Sequence, residues 1–195
     1  MSAKPRPIAI TGEPAADRLL DRDPFALLTG MLLDQQFPME RAFAGPQKIA
    51  ERLGVDRLDP TAIAALDSEE FSALCATPPA VHRYPGSMAG RIQALARTVL
   101  DEYGGDAASL WTGADSGAEL LRRLRALPGF GEAKARIFVA LLGKQRGVRP
   151  AGWEDAAGSY AETGSFRSVA DVVDPASLAQ VRAFKQQQKQ SAQTR

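Results

Sequence analysis

An all-α fold is what this sequence predicts, and three observations carry the prediction. Apolar residues recur at the helical period: Ile92, Leu95, Ala96, Val99, Leu100 and Tyr103 fall at i, i+3, i+4, i+7, i+8 and i+11. Asp-Pro pairs stand at three helix starts, Asp23-Pro24, Asp59-Pro60 and Asp174-Pro175. There the aspartate can accept orphan amide hydrogens as N-cap, and proline brings the preset φ of the first helical position. No run of alternating strand residues appears beyond Ile8-Ala9-Ile10. Eight to ten helices joined by short Gly/Pro turns are expected.

In chain order, residues 1–22 form an N-terminal segment ahead of the main helical domain, 23–181. PFALLTGMLLDQQ, residues 24–36, is apolar on most faces until Asp34, the mark of a helix central to a core. It turns abruptly polar at Asp34, Gln35 and Gln36 and breaks at Phe37-Pro38, so a buried rod delivers amides and a ring to its end. Asp67 and Glu70 make a capping-box pattern before Phe71 and Leu74, and Gly104 supplies a C-cap after Tyr103. Leu120, Leu121, Leu124 and Leu127 stripe one helix of a hairpin over residues 120–142; Ile137, Phe138, Leu141 and Leu142 stripe the other. Residues 151–168 are rich in Gly, Ala and Ser and read as a long irregular connection, and 182–195 as a polar basic tail that frays.

Composition narrows the function classes. With 195 residues, 45% hydrophobic and 24% charged, the chain can bury a core as one domain or two small lobes. The opening MSAKPRPIAITG has no apolar h-region and no run approaches the roughly 18 apolar residues of a membrane span, so a cytoplasmic protein is expected, nucleoid-associated in a bacterium. The single cysteine, Cys75, excludes an internal disulfide and any multi-cysteine metal or iron–sulfur site, and reads as a small buried hydrophobe. The single histidine, His82, excludes a multi-histidine metal site and a Ser-His-Asp triad, and suits a surface or hydrogen-bonded loop role. No metal site among side chains is expected, and Trp111 reads as packing.

The formal charge of +1 conceals an asymmetry. Residues 121–149 carry Arg122, Arg123, Arg125, Lys134, Arg136, Lys144, Arg146 and Arg149 against Glu132 alone, a local +7. Residues 1–120 then stand at −6, 150–181 at −4 and 182–195 at +4. A positive block on a nearly neutral chain suits a polyanion, although a solvated helix face is the plainer alternative.

Inside that block lies LPGFGEAKARIFVALLGKQ, residues 127–145. Pro128 ends the first helix, and Gly129 and Gly131 permit positive φ and leave no side chain between the turn and whatever approaches it. The second helix begins at once, so its unsatisfied N–H groups and positive dipole end point the same way, the geometry that binds phosphate. A glycine turn alone also suits an ordinary helical hairpin; with the surrounding charge, Lys134 and Arg136 nearest, a nucleic-acid backbone clamp is favoured. Phe37, beside Gln36, is either a wedge between base pairs or a core residue.

LPGFGEAKA resembles the hairpin of the helix-hairpin-helix (HhH-GPD) DNA glycosylase superfamily, which includes endonuclease III, the adenine-mismatch glycosylase and the alkyladenine glycosylases. DPFALLTGMLLDQQ is similar to the early core helix of that family, and SMAGRIQALARTVLDEYGG to the helix before the hairpin segment, so the likeness spans roughly residues 23–150. It implies a two-lobed helical bundle that acts on double-stranded DNA with a flipped-out base, as a monomer, and cuts the N-glycosidic bond of a damaged or mispaired base. It places the hairpin residues Leu127, Pro128, Gly129, Phe130 and Gly131 on DNA, and Gln36 in the duplex near the flipped base.

Two departures bear on the chemistry. Lysine-bearing relatives place their nucleophile two residues after the second hairpin glycine; that slot holds Ala133, and Lys134 comes one residue, about 100 degrees of helix, later. Lys134 is then a phosphate contact rather than a nucleophile, and a monofunctional, water-using glycosylase is expected. The catalytic aspartate of the family follows the second helix in a P-x-x-D pattern, but after Pro150 the slot holds Trp153, with Glu154 and Asp155 next. Either carboxylate can serve after a small loop adjustment, the shorter Asp155 preferred, or both face solvent. Trp153 either stacks on an extruded base or plugs the space between lobes. No cofactor is implied, since the four-cysteine iron–sulfur cluster of the endonuclease III branch is absent. The alternatives are a non-catalytic sensor of DNA damage or structure and, if acidic neighbours neutralise the basic block, a hairpin for protein assembly.

Overall fold

The computed structural model describes residues 4–193. Among them are eleven α-helices, two short 3-10 segments and no strand, so the all-α expectation holds with one helix more than the upper bound. The chain divides into two compact units. A core-helix unit comprises Thr11–Gly113 and Ala126–Phe130; a hairpin unit comprises, of the described residues, 4–10, Ala114–Arg125 and 131–193.

The core-helix unit is built on α2 (Pro24–Leu33), nine of whose ten residues are buried. Its start shows how one residue joins local and long-range order. Asp23 caps α2 through Oδ1, which accepts from the amides of Phe25 at 3.0 Å and Ala26 at 3.1 Å. Its Oδ2 accepts from the Leu58 amide at 2.7 Å, so a carboxylate only 2% exposed has both oxygens occupied, as a buried charge must. Around α2 lie α1 (Pro14–Arg22) and α3 (Met39–Leu53). A Cβ on Gly30 would come within 2.6 Å of the Phe43 ring, so glycine is what lets α3 approach α2. Asp59 and Asp67 cap α4 (Pro60–Ala65) and α5 (Ser68–Ala76). These two pack on α6 (Pro85–Tyr103), which ends at Gly104 in the left-handed region, φ 61°. The buried Gln93 amide donates to the carbonyls of Ile63 and Leu66, satisfying the end of α4 from α6. A short α7 (Ser109–Thr112) buries Trp111. Cys75 is wholly buried, and desolvation pushes its thiol up to about 12, so it has no nucleophilic thiolate at neutral pH.

The hairpin unit pairs α8 (Gly117–Arg125) with α9 (Glu132–Gln145), and α10 (Trp153–Ala157) packs on both. The approach of α10 is set by missing side chains: a Cβ on Gly117 would strike the backbone of Gly152 and Trp153, and one on Gly143 would strike the Trp153 ring. The buried Gln145 amide donates to the carbonyls of Val169, Ala170 and Val172, gathering the 3-10 segment Val169–Asp171 onto α9. Asp174 caps α11 (Pro175–Gln193) by accepting from the Ser177 amide at 2.7 Å.

Residues 14–22 form α1, which packs on α2 and α3, and Ile8 and Ile10 are buried. Two expectations need revision. The stretch 151–168 holds α10 and the 3-10 segment Gly158–Ala161 in place of an irregular connection. The polar tail continues α11 through Gln193 instead of fraying; residues 1–3 and 194–195 of the two terminal segments lie outside the described residues.

Candidate nucleic-acid interface

The two hairpin glycines do different work. α8 stops at Arg125, three residues before Pro128, and the turn is closed by the Phe130 amide donating to the Leu127 carbonyl at 3.1 Å. Gly129 sits at φ 78°, and a Cβ there would collide with the Leu32 side chain. That glycine is required by the fold. Gly131 is the N-cap of α9 with φ −79° and ψ 179°, extended backbone open to any residue, and nothing lies within 4 Å of where its Cβ would be. The expectation of positive φ therefore fails at Gly131. Leu127 and Phe130 are each 4% exposed and anchor the turn, so only their backbone can meet a ligand; Pro128 is half-buried.

No side chain caps α9. Its first-turn amides carry the positive end of a fourteen-residue helix, beside an exposed glycine. The nearest acid is Glu132. Its Oε2 pairs with Arg125 Nε at 2.7 Å and its Oε1 with Arg136 Nε at 2.7 Å, so one carboxylate holds a guanidinium from each helix. Arg136 Nη1 also donates to the Ala156 carbonyl at 2.8 Å, which ties α9 to α10. Lys134 is half-buried and Ala133 exposed.

Elsewhere in the block, Glu119 pairs with Arg123 at 2.6 Å and lies 3.9 Å from Arg122; the Arg123 hydrogen bond and the Asp115 amide hold its carboxyl below the usual range. Lys144 pairs with Asp171. Counting Glu119 and Asp171 with Glu132 leaves the eight cations at +5, so acidic neighbours reduce the block without neutralising it.

α10 carries the remaining candidates. The half-buried Trp153 indole lies on α9 at Gly143, with the Arg149 guanidinium 5.5 Å from its ring centroid. Glu154 and Asp155 follow in the first turn, both exposed and neither ion-paired among the described residues.

Gln36 and Phe37 lie in the core-helix unit, immediately after α2. Gln36 is exposed and, at φ 53°, is the one non-glycine residue with positive φ among those described. The half-buried Phe37 ring packs 4.8 Å from that of His82, with Arg41 5.0 Å over its face. His82, 2% exposed, bonds the Gln35 carbonyl through Nε2 at 2.9 Å and accepts the Tyr84 amide at Nδ1 at 3.0 Å. Arg91 Nη1 donates to Gln35 Oε1 at 2.9 Å. Sequence reasoning allowed His82 a hydrogen-bonded loop role but gave no sign of its partners. It missed Arg91 and the double pairing of Glu132; only the Glu132–Arg136 half of the latter, at i, i+4, is visible in the sequence.

No curated protein matches the chain significantly. The family model described as HhH-GPD superfamily base excision DNA repair protein matches residues 29–194, which takes in the glutamine turn, both hairpin helices and α10. With that match over most of its length, the chain belongs to the HhH-GPD superfamily of base excision DNA repair proteins.

Proposed function

We propose that the protein is a monofunctional DNA glycosylase, working as a monomer on double-stranded DNA without a resident cofactor. The observation that carries this reading is the exposed, uncapped start of α9 at Gly131, flanked by Arg125, Lys134 and Arg136, with Ala133 where lysine-bearing relatives keep their nucleophile. The amides at the start of α9 hold a phosphate, and Lys134 adds charge. Gln36 fills the stack vacated by the flipped base. Asp155 steadies the cationic sugar as the glycosidic bond breaks, and a water completes the substitution at C1′. With no amine at C1′ there is no Schiff base, and the strand stays intact.

A duplex panel carrying oxidised, deaminated, alkylated and mispaired bases tests this. Base release with strand breaks appearing only after alkali is expected; breaks without alkali contradict the monofunctional reading. The second reading, a non-catalytic damage sensor, draws on Trp153 standing in the aspartate slot with its ring committed to Gly143 and Arg149. Lesion-selective binding with no release from any duplex would select it.

Glu132 offers a gain-of-binding test. Its carboxylate draws Arg125 and Arg136 to itself at the very place where a phosphate would bind. Glu132→Gln is expected to raise affinity for intact and damaged duplex alike by about three- to tenfold at low salt, because phosphate contacts do not read sequence. Unchanged or weaker binding in a fluorescence anisotropy titration would remove those two arginines from the interface.

A further inference from the structure

We propose that His82 is the positioning residue of the glutamine turn: a neutral imidazole, its proton on Nε2, fixes the Gln35 carbonyl and thereby holds Gln36 in the conformation from which it enters DNA. The inference rests on the proposed role of Gln36. Past α2 the Gln35 amide donates to the Leu33 carbonyl at 2.8 Å, and the chain reverses at Gln36 with φ 53°. A non-glycine residue avoids that region unless its surroundings impose it. Here they do so from both sides. Gln35 is held twice, by His82 at its carbonyl and by Arg91 at its side chain, while Phe37 is seated between the His82 ring and Arg41. Gln36, between two held residues, keeps its own side chain exposed.

The tautomer follows from the bonding. Nδ1 accepts the Tyr84 amide and therefore carries no proton, so the 2.9 Å contact to the Gln35 carbonyl is an Nε2–H donation. Tyr84 precedes α6, whose residues Met88 through Val99 include much of the core, so the imidazole is a strut between a rigid helix and the turn. Being 2% exposed, His82 cannot itself touch DNA before the turn moves. Its effect on DNA runs through Gln36.

The test compares binding to a duplex with a tetrahydrofuran abasic site and to the intact duplex, for the whole protein. His82→Leu is expected to cut the preference for the abasic duplex by about tenfold while intact-duplex affinity changes less than about twofold. His82→Gln, whose amide can donate to the same carbonyl, is expected to recover most of the preference. In a Gln36→Ala background, His82→Leu should have no further effect, since the two act as a unit. If Gln36→Ala is itself silent, the glutamine reading fails and the proposal with it. If Gln36→Ala matters but His82→Leu is silent, or if the two losses add, the positioning role alone is overturned. Should His82→Leu not fold, nitrogen-15 NMR of the wild type decides, because the chain has one histidine. An Nε2–H tautomer with a slowly exchanging ring proton is expected; an Nδ1–H tautomer or a freely exchanging ring overturns the proposal.

Discussion

Asp155→Asn is expected to slow single-turnover base release by at least about a hundredfold, roughly 2.7 kcal/mol, with lesion affinity kept or improved. The sugar becomes cationic as the glycosidic bond breaks, and a carboxylate near C1′ lowers that barrier most where DNA has excluded water. Glu154 and Asp155 are exposed first-turn residues of α10, and successive helical positions point about 100 degrees apart, so they cannot both face one atom. The shorter aspartate fixes its charge with fewer rotatable bonds, and α10 is held to α9 by the Arg136–Ala156 hydrogen bond. A phosphate at the start of α9 would then share one packed platform with Asp155. Glu154→Gln should change the rate less than about fivefold, near 1 kcal/mol. If an active substrate is found and neither substitution slows its release, the acid lies elsewhere in the chain.

Gly129→Ala and Gly131→Ala should part company completely, though the residues are two positions apart. At Gly129 a methyl group meets both a φ of 78° and the Leu32 side chain. The left-handed backbone costs about 1–2 kcal/mol and the overpacking about 1–3 kcal/mol, so a loss of roughly 2–5 kcal/mol in urea unfolding is expected. At Gly131 the backbone is extended and the space is open, so stability should change by less than about 0.5 kcal/mol. Duplex binding should nonetheless weaken about five- to tenfold there, because the methyl group would stand between the amides and the phosphate. If Gly131→Ala binds DNA like the wild type, the glycine has no demonstrated purpose at the interface.

What was legible in the sequence was mainly local. The aspartate caps at Asp23, Asp59, Asp67 and Asp174 act within three residues of themselves, and α2 declares its burial by being apolar all round. The polar repetition of the tail resembles disorder, yet Gln, Lys and Ala are good helix formers and no Gly or Pro follows Pro175 to stop α11. Two identical glycines could not be told apart, since the difference is the distant Leu32 beside one and open space beside the other. The surroundings of Trp153 are hidden for the same reason: Gly143 sits ten residues away, and a missing side chain gives no sign of what fills its place. The second pairing of Glu132, with Arg125, exists only once the hairpin closes.

The central claim is that the start of α9 clamps a DNA backbone, and the salt dependence of duplex binding tests it most directly. Three to five phosphates neutralised there predict that log affinity falls against log salt with a slope of about −2.7 to −4.5, with the same slope on duplexes of unrelated sequence. A slope near zero, or binding confined to one sequence, would contradict the clamp.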